Sequence, residues 1–195
     1  TQGQLYGYSE HSIEGSHWVK IPRSESAMLN ARDTAIALGA TMFVRHEWLT
    51  KVGNKLYISE TGGDHINLSS YANYKGKIAS YFPIVGDNKY SDPYGRILEF
   101  DIDTDSIRPI IHGGTSSLNK KKNFASPDCI NSFSRDDEDY LIISEDITSL
   151  AYNKEDSLGK NRNRYINEVY VTKVPGNEIT TTELVRFAIG PKGCE

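Results

Sequence analysis

The chain has 195 residues, 37% of them hydrophobic and 25% charged, with a formal net charge of −4 at pH 7. This is the composition of an ordinary globular protein, long enough for one domain with a substantial core or for part of a larger one. It excludes a membrane-spanning helix, because no run approaches the roughly 18 apolar residues needed, and it excludes a generally basic nucleic-acid surface.

In chain order, "QLYGYS" (4–9) and "HWVKIP" (17–22) read as short strands. "SESAMLNARDTAIALG" then predicts one helix near residues 25–38. Met28, Ala31, Ala35 and Leu38 share a face, Ser24 caps the start and Gly39 supplies a left-handed stop. "KLYISET" (55–61) alternates and ends on an acid. "RILEFDID" (96–103), "YLIIS" (140–144), "NEVYVTKV" (167–174) and "ELVRFAI" (183–189) complete the strand set. Gly, Asn, Asp and Pro punctuate these segments, which predicts an all-β sandwich, barrel or propeller. "VRFAIGPKGCE" reads as a strand and a turn with nothing after them to cap a fold, so residues 1–195 are expected to be a single domain or a fragment of a larger one.

A faint internal repeat favours the propeller. "VRHEWLTKVGNKLYISET" has an acid at Glu47, a Gly-Asn turn, and a strand ending on Glu60. "SPDCINSFSRDDEDYLIISED" has Asp128, a longer acidic turn, and a strand ending on Glu145 and Asp146. The gap between Glu47 and Asp128 is wider than one blade, which predicts an inserted or irregular blade between them. Acids at equivalent strand ends would converge on the central channel of a propeller. Their mutual repulsion would be relieved by a hard cation such as calcium.

Arg45 and Glu47, two apart in "FVRHEW", point to one face of an extended strand. A guanidinium beside a carboxylate suits a place where metal and phosphate meet, because arginine grips phosphate bidentately; a surface ion pair is the plain alternative. Asp128 follows Pro127 and reads as a metal ligand or a turn aspartate. His46, His65 and His112 lack metal-site spacing. Cys129 and Cys194 form neither a zinc ribbon nor a disulfide framework; they are two free thiols or one long-range bridge. No serine-hydrolase elbow, phosphate loop or dinucleotide fingerprint occurs.

Five stretches in order resemble the PhoX-type alkaline phosphatases: "LGATMFVRHEW" (38–48), "KLYISETGGD" (55–64), "DPYGRILEFD" (92–101), "FASPDCINSF…YLIISED" (124–146) and "ELVRFAIGPKGCE" (183–195). The resemblance implies a β-propeller of several blades, using calcium and iron at the channel mouth to hydrolyse small phosphate esters, in the periplasm or outside the cell. It implies Arg45 as a phosphate contact and Glu47, Asp128, Glu195 and Glu145 as metal ligands, with Asp146 completing the family's E-D pair. Two departures stand out. The family's Asn after Pro-Asp is Cys129 here, and the family's Cys-Glu-Glu and "QHPG" segments have no counterpart. With an incomplete cluster, calcium alone is expected. A calcium-dependent propeller lactonase or esterase, and a non-catalytic calcium-stabilised scaffold, are the alternative readings.

Overall fold

A computed structural model describes residues 3–6, 17–40, 43, 45–67, 89–92, 95–113, 124–146, 167–175 and 184–189. The described chain is mostly β. Its strands are β1 (Gly3–Tyr6), β2 (His17–Lys20), β3 (His46–Val52), β4 (Lys55–Glu60), β5 (Gly63–Asn67) and β6 (Lys89–Asp92). They continue with β7 (Arg96–Asp101), β8 (Ser106–His112), β9 (Pro127–Arg135), β10 (Glu138–Glu145), β11 (Glu168–Lys173) and β12 (Val185–Ile189). Two open four-stranded antiparallel sheets carry the structure, in the orders β3-β4-β7-β8 and β9-β10-β11-β12, beside two-stranded ribbons β1-β2 and β5-β6.

Each large sheet is an up-and-down meander whose turns follow from their residues. β3 meets β4 through a two-residue turn, with Val52 opposite Lys55 and Gly53 at φ +56°. Positive φ at the first turn position matches the hairpin twist, and glycine reaches it without strain. β9 meets β10 through Asp136 and Asp137, both at positive φ (53° and 60°), with Arg135 opposite Glu138. That is the demand of a type I′ turn, and aspartate is among the few residues that tolerate it twice. The acidic turn in the sequence is therefore explained by backbone geometry rather than by a ligand. Between β7 and β8 the Asp101 carboxylate accepts the amides of Asp103 (3.0 Å) and Thr104 (3.1 Å), closing the connection locally.

The core joins the two sheets. Tyr57, Ile97 and Ile111 from the first pack with Ile130, Leu141, Ile143 and Tyr170 from the second, and Phe124 joins the cluster, edge-on to Tyr170. Charged groups are buried inside this framework as ion pairs and hydrogen-bonded carboxylates. Glu99 takes Lys55 Nζ (3.1 Å), the Tyr57 hydroxyl (3.0 Å) and Arg108 Nε (2.8 Å). Glu168 takes Arg186 (3.1 Å) and the Tyr170 hydroxyl. Paired in this way, the buried carboxylates avoid the cost of an isolated charge. Burial, followed by the charges of Glu145 and Glu168, pushes the Tyr170 phenol well up from its ordinary value.

Three expectations change. The single helix is two, α1 (Glu25–Leu29) and α2 (Ala31–Ala37), broken at Asn30. Ser24 caps α1 and Gly39 sits at φ 89° as expected, but the buried residues of α2 are Ala35 and Ile36, while Met28 and Leu38 are half exposed. No blade lies between the two repeated hairpins among the described residues: they open consecutive sheets, and part of the extra length goes to the β5-β6 ribbon inserted between β4 and β7. The strands β3, β8 and β9 extend where the alternation was weak, with Pro109 tolerated in β8 because that strand is an edge.

Candidate functional site

The first strands of the two sheets lie side by side: β9 packs along β3 and reaches β4. This seam is where the repeat becomes visible in three dimensions. Each repeat opens on a left-handed residue, Arg45 at φ 57° and Ser126 at φ 48°. The carbonyl of that residue then accepts the amide that follows the exit acid: Thr61 N–H to Arg45 (2.9 Å) and Asp146 N–H to Ser126 (2.8 Å). Two residues beyond each left-handed position stand Glu47 and Asp128. The left-handed conformation costs a non-glycine residue about 1–2 kcal/mol, so its use twice at equivalent places marks a constrained approach to the seam.

Four charged side chains gather there. Arg45 Nε lies 3.2 Å from Glu47 Oε1 and Arg45 Nη2 lies 3.6 Å from Asp146 Oδ2. All three are partly open to solvent, so the pairs themselves contribute little to stability. Asp128 is half buried beside them. Burial first, then the negative charges of Glu47 and Asp146, raise its carboxyl above the ordinary value, and the Arg45 charge offsets part of that rise. The sheets thus bring together Arg45, Glu47 and Asp128, three residues singled out in the sequence, and add Asp146, whose role the resemblance left loose.

The other expected ligands fall elsewhere. Glu145 is buried, and its carboxylate is spent on the backbone: Oε1 accepts the Ala125 amide (2.8 Å) and Oε2 accepts the Glu168 amide (3.0 Å). Glu60, its counterpart in the first hairpin, is fully buried against Arg96 (3.1 Å). The two exit acids are therefore clamps that fasten strand ends, and the acids at the seam are Glu47, Asp128 and Asp146. Glu195 and Cys194 lie outside the described residues. Cys129, next to Asp128 on β9, is an exposed free thiol. Of the histidines, His46 stacks with Phe43 at a centroid separation of 4.3 Å.

What sequence reasoning missed is the row of hydroxyls that sews the seam. Ser59 Oγ accepts the Trp48 amide (3.0 Å) and contacts the Asp128 carbonyl oxygen. The Thr61 hydroxyl donates to the Pro127 carbonyl (2.7 Å), and Thr50 and Ser132 hydroxyls meet at 2.9 Å. The available signal was the alternation of small hydroxyl residues in "TKVGNKLYISET", at positions where an ordinary core strand would carry aliphatic side chains.

The donors at the seam are carboxylate oxygens, which suit a hard cation such as calcium. Among the described residues, no group of three His, Cys, Asp or Glu side chains is placed to hold a metal ion by itself. The cluster offers carboxylates for part of a coordination sphere, with Arg45 within it as an internal counter-charge. Comparison of the chain with protein-family models, with curated proteins and with solved structures returned no match.

Proposed function

We propose that this chain belongs to a β-propeller hydrolase that releases inorganic phosphate from small phosphate esters with the help of a bound hard cation, in the manner of the PhoX-type phosphatases. Two consecutive four-stranded meanders whose first strands lie side by side support the propeller, since neighbouring blades meet in this way around a channel. The observation that carries the function is the Arg45 guanidinium set among Glu47, Asp128 and Asp146 at that meeting line.

In this reading Glu47 and Asp128 would hold calcium, with Asp146 beside them; the resemblance adds iron and Glu195 to the set, while Glu145 stays a clamp on the Ala125 and Glu168 amides. The cation, when bound, polarises a phosphoryl oxygen and removes the repulsion among the carboxylates. Arg45 orients the phosphate: two of its nitrogens face carboxylates, which fixes the plane of the guanidinium and leaves further N–H groups for the phosphoryl oxygens. As the ester P–O bond breaks and a P–O bond to water oxygen forms, the same N–H groups stabilise the growing charge, and the alcohol leaves with a proton. A periplasmic or extracellular location goes with the resemblance.

The test is metal content of the natively purified protein together with turnover of 4-nitrophenyl phosphate, with and without chelator. Bound calcium and chelator-sensitive phosphate release that disappears in Glu47→Gln is the expected result. Calcium without phosphate release would replace this reading by the lactonase or the scaffold.

A further inference from the structure

Glu47 and Asp128 sit on the two sheets and Arg45 and Asp146 directly flank their strands, so the site is only as precise as the joint between the sheets. At the charged end of that joint, two side chains at the end of β4 reach the backbone at the start of β9. Ser59 is fully buried and lies between the backbone of Trp48, next to Glu47, and the carbonyl of Asp128. Thr61, 1% exposed, carries two links at once. Its amide holds the Arg45 carbonyl (2.9 Å) and its hydroxyl holds the Pro127 carbonyl (2.7 Å). Glu47 and Asp128 are therefore each one covalent step or less from a backbone group anchored by Ser59. Arg45 and Asp128 are likewise each within one step of a group anchored by Thr61.

We propose that Ser59 and Thr61 are positioning residues for the seam. Their hydroxyls set the separation of Arg45 and Glu47 on one sheet from Asp128 on the other, and with it the geometry in which a phosphate ester is held and hydrolysed. The proposal rests on the phosphatase reading for its chemistry. Its physical basis is local. The backbone carbonyls of Pro127 and Asp128 are met by hydroxyls of the neighbouring sheet, so the contact passes from one sheet to the other. Valine in place of Thr61 keeps the shape and removes the donor; serine keeps the donor and removes only a methyl group. Misplacement by about 1 Å is enough to lose on the order of a hundredfold in rate, while binding through Arg45 alone suffers less.

Thr61→Val and Ser59→Ala, with Thr61→Ser as the conservative control, are compared with the unaltered protein. With 4-nitrophenyl phosphate, kcat is expected to fall about a hundredfold with KM changed by less than about threefold in Thr61→Val, and Thr61→Ser is expected to restore kcat to within about threefold. Equal losses in Thr61→Val and Thr61→Ser, or unchanged kcat in Thr61→Val, would overturn the positioning role. If the unaltered protein turns over no phosphate ester, the phosphatase reading falls. The joint is then read by backbone amide NMR shifts: Thr61→Val should move Arg45, Glu47 and Asp128 together, leaving the far turns at Gly53 and Asp136 unmoved. Shifts confined to one sheet would overturn the proposal independently of any activity.

Discussion

Replacing Glu145 by glutamine separates a structural clamp from a metal ligand. The side chain is 6% exposed and accepts the Ala125 and Glu168 amides at 2.8 and 3.0 Å, tying the segment before β9 and the start of β11 to the end of β10. Hydrogen bonds to a charged acceptor contribute about 1.5–3 kcal/mol each. Glutamine retains one oxygen and turns an NH2 group towards the other amide, so one bond becomes neutral and one is lost with a buried donor left facing a donor. The expected cost is about 2–4 kcal/mol. For a chain of this length each kcal/mol lowers the melting temperature by about 2–4 °C, so Tm should fall by about 10 °C. Calorimetry gives the shift, and equilibrium dialysis with calcium gives the metal affinity on the same sample at a temperature where both proteins are folded. Calcium binding should be unchanged. A variant with an unaltered Tm and weakened calcium binding would refute the clamp and restore Glu145 to the ligand set that the sequence suggested.

Further expectations follow from the seam and the turns. Asp128 has its folded-state pKa raised above the unfolded value, so the folded protein binds a proton more tightly than the unfolded chain does, and stability falls as pH rises from about 4 through the raised value. Asp128→Asn should therefore raise Tm at pH 7, with the gain vanishing as pH drops below that window, while phosphate release is lost; a lower Tm at pH 7 in the metal-free protein would show that the repulsion is not there. Arg45→Ala should change stability by less than about 1 kcal/mol, because its ion pairs are partly solvated, yet lower kcat/KM about a hundredfold or more. A Cβ at Gly95 would stand 2.1 Å from the Glu60 carbonyl oxygen and 2.5 Å from that of Thr61, at φ +65°, whereas one at Gly53 meets nothing within 4 Å. Gly95→Ala should thus cost about 3 kcal/mol or more and Gly53→Ala about 1 kcal/mol by urea unfolding; equal costs would mean that the close approach at Gly95 is not made.

The sequence by itself determined the class and much of the local structure. Alternation at 55–61 and 96–103 and the short apolar run at 140–144 identify β4, β7 and β10, bounded as they are by turn residues. The Gly-Asn pair marks the first hairpin, and the likeness between the stretches around Glu47 and Asp128 survives as a pair of hairpins with the same left-handed opening. β3 was harder to see, since Trp48 and Leu49 are both more than half exposed and a register shift between His46 and Leu49 breaks the period. β9 was hidden by its mostly exposed polar residues from Asn131 onward, which look like a loop until β10 pairs with them.

Only the tertiary structure decided what each acid does. Glu60 and Glu145 end their strands in the same way that a channel ligand would, and nothing in their neighbours along the chain tells a clamp from a ligand. The difference lies in what they meet in space: Arg96 for one, and the amides of Ala125 and Glu168 for the other. Asp146 gains its importance from Arg45, a hundred residues away in the chain, and Asp128 gains its raised pKa from burial and from Glu47 on the opposite sheet. Solvation and charge proximity fall off over a few ångströms of space and have no counterpart in sequence distance, so the division of these carboxylates between framework and site comes into being only when the two sheets close on each other.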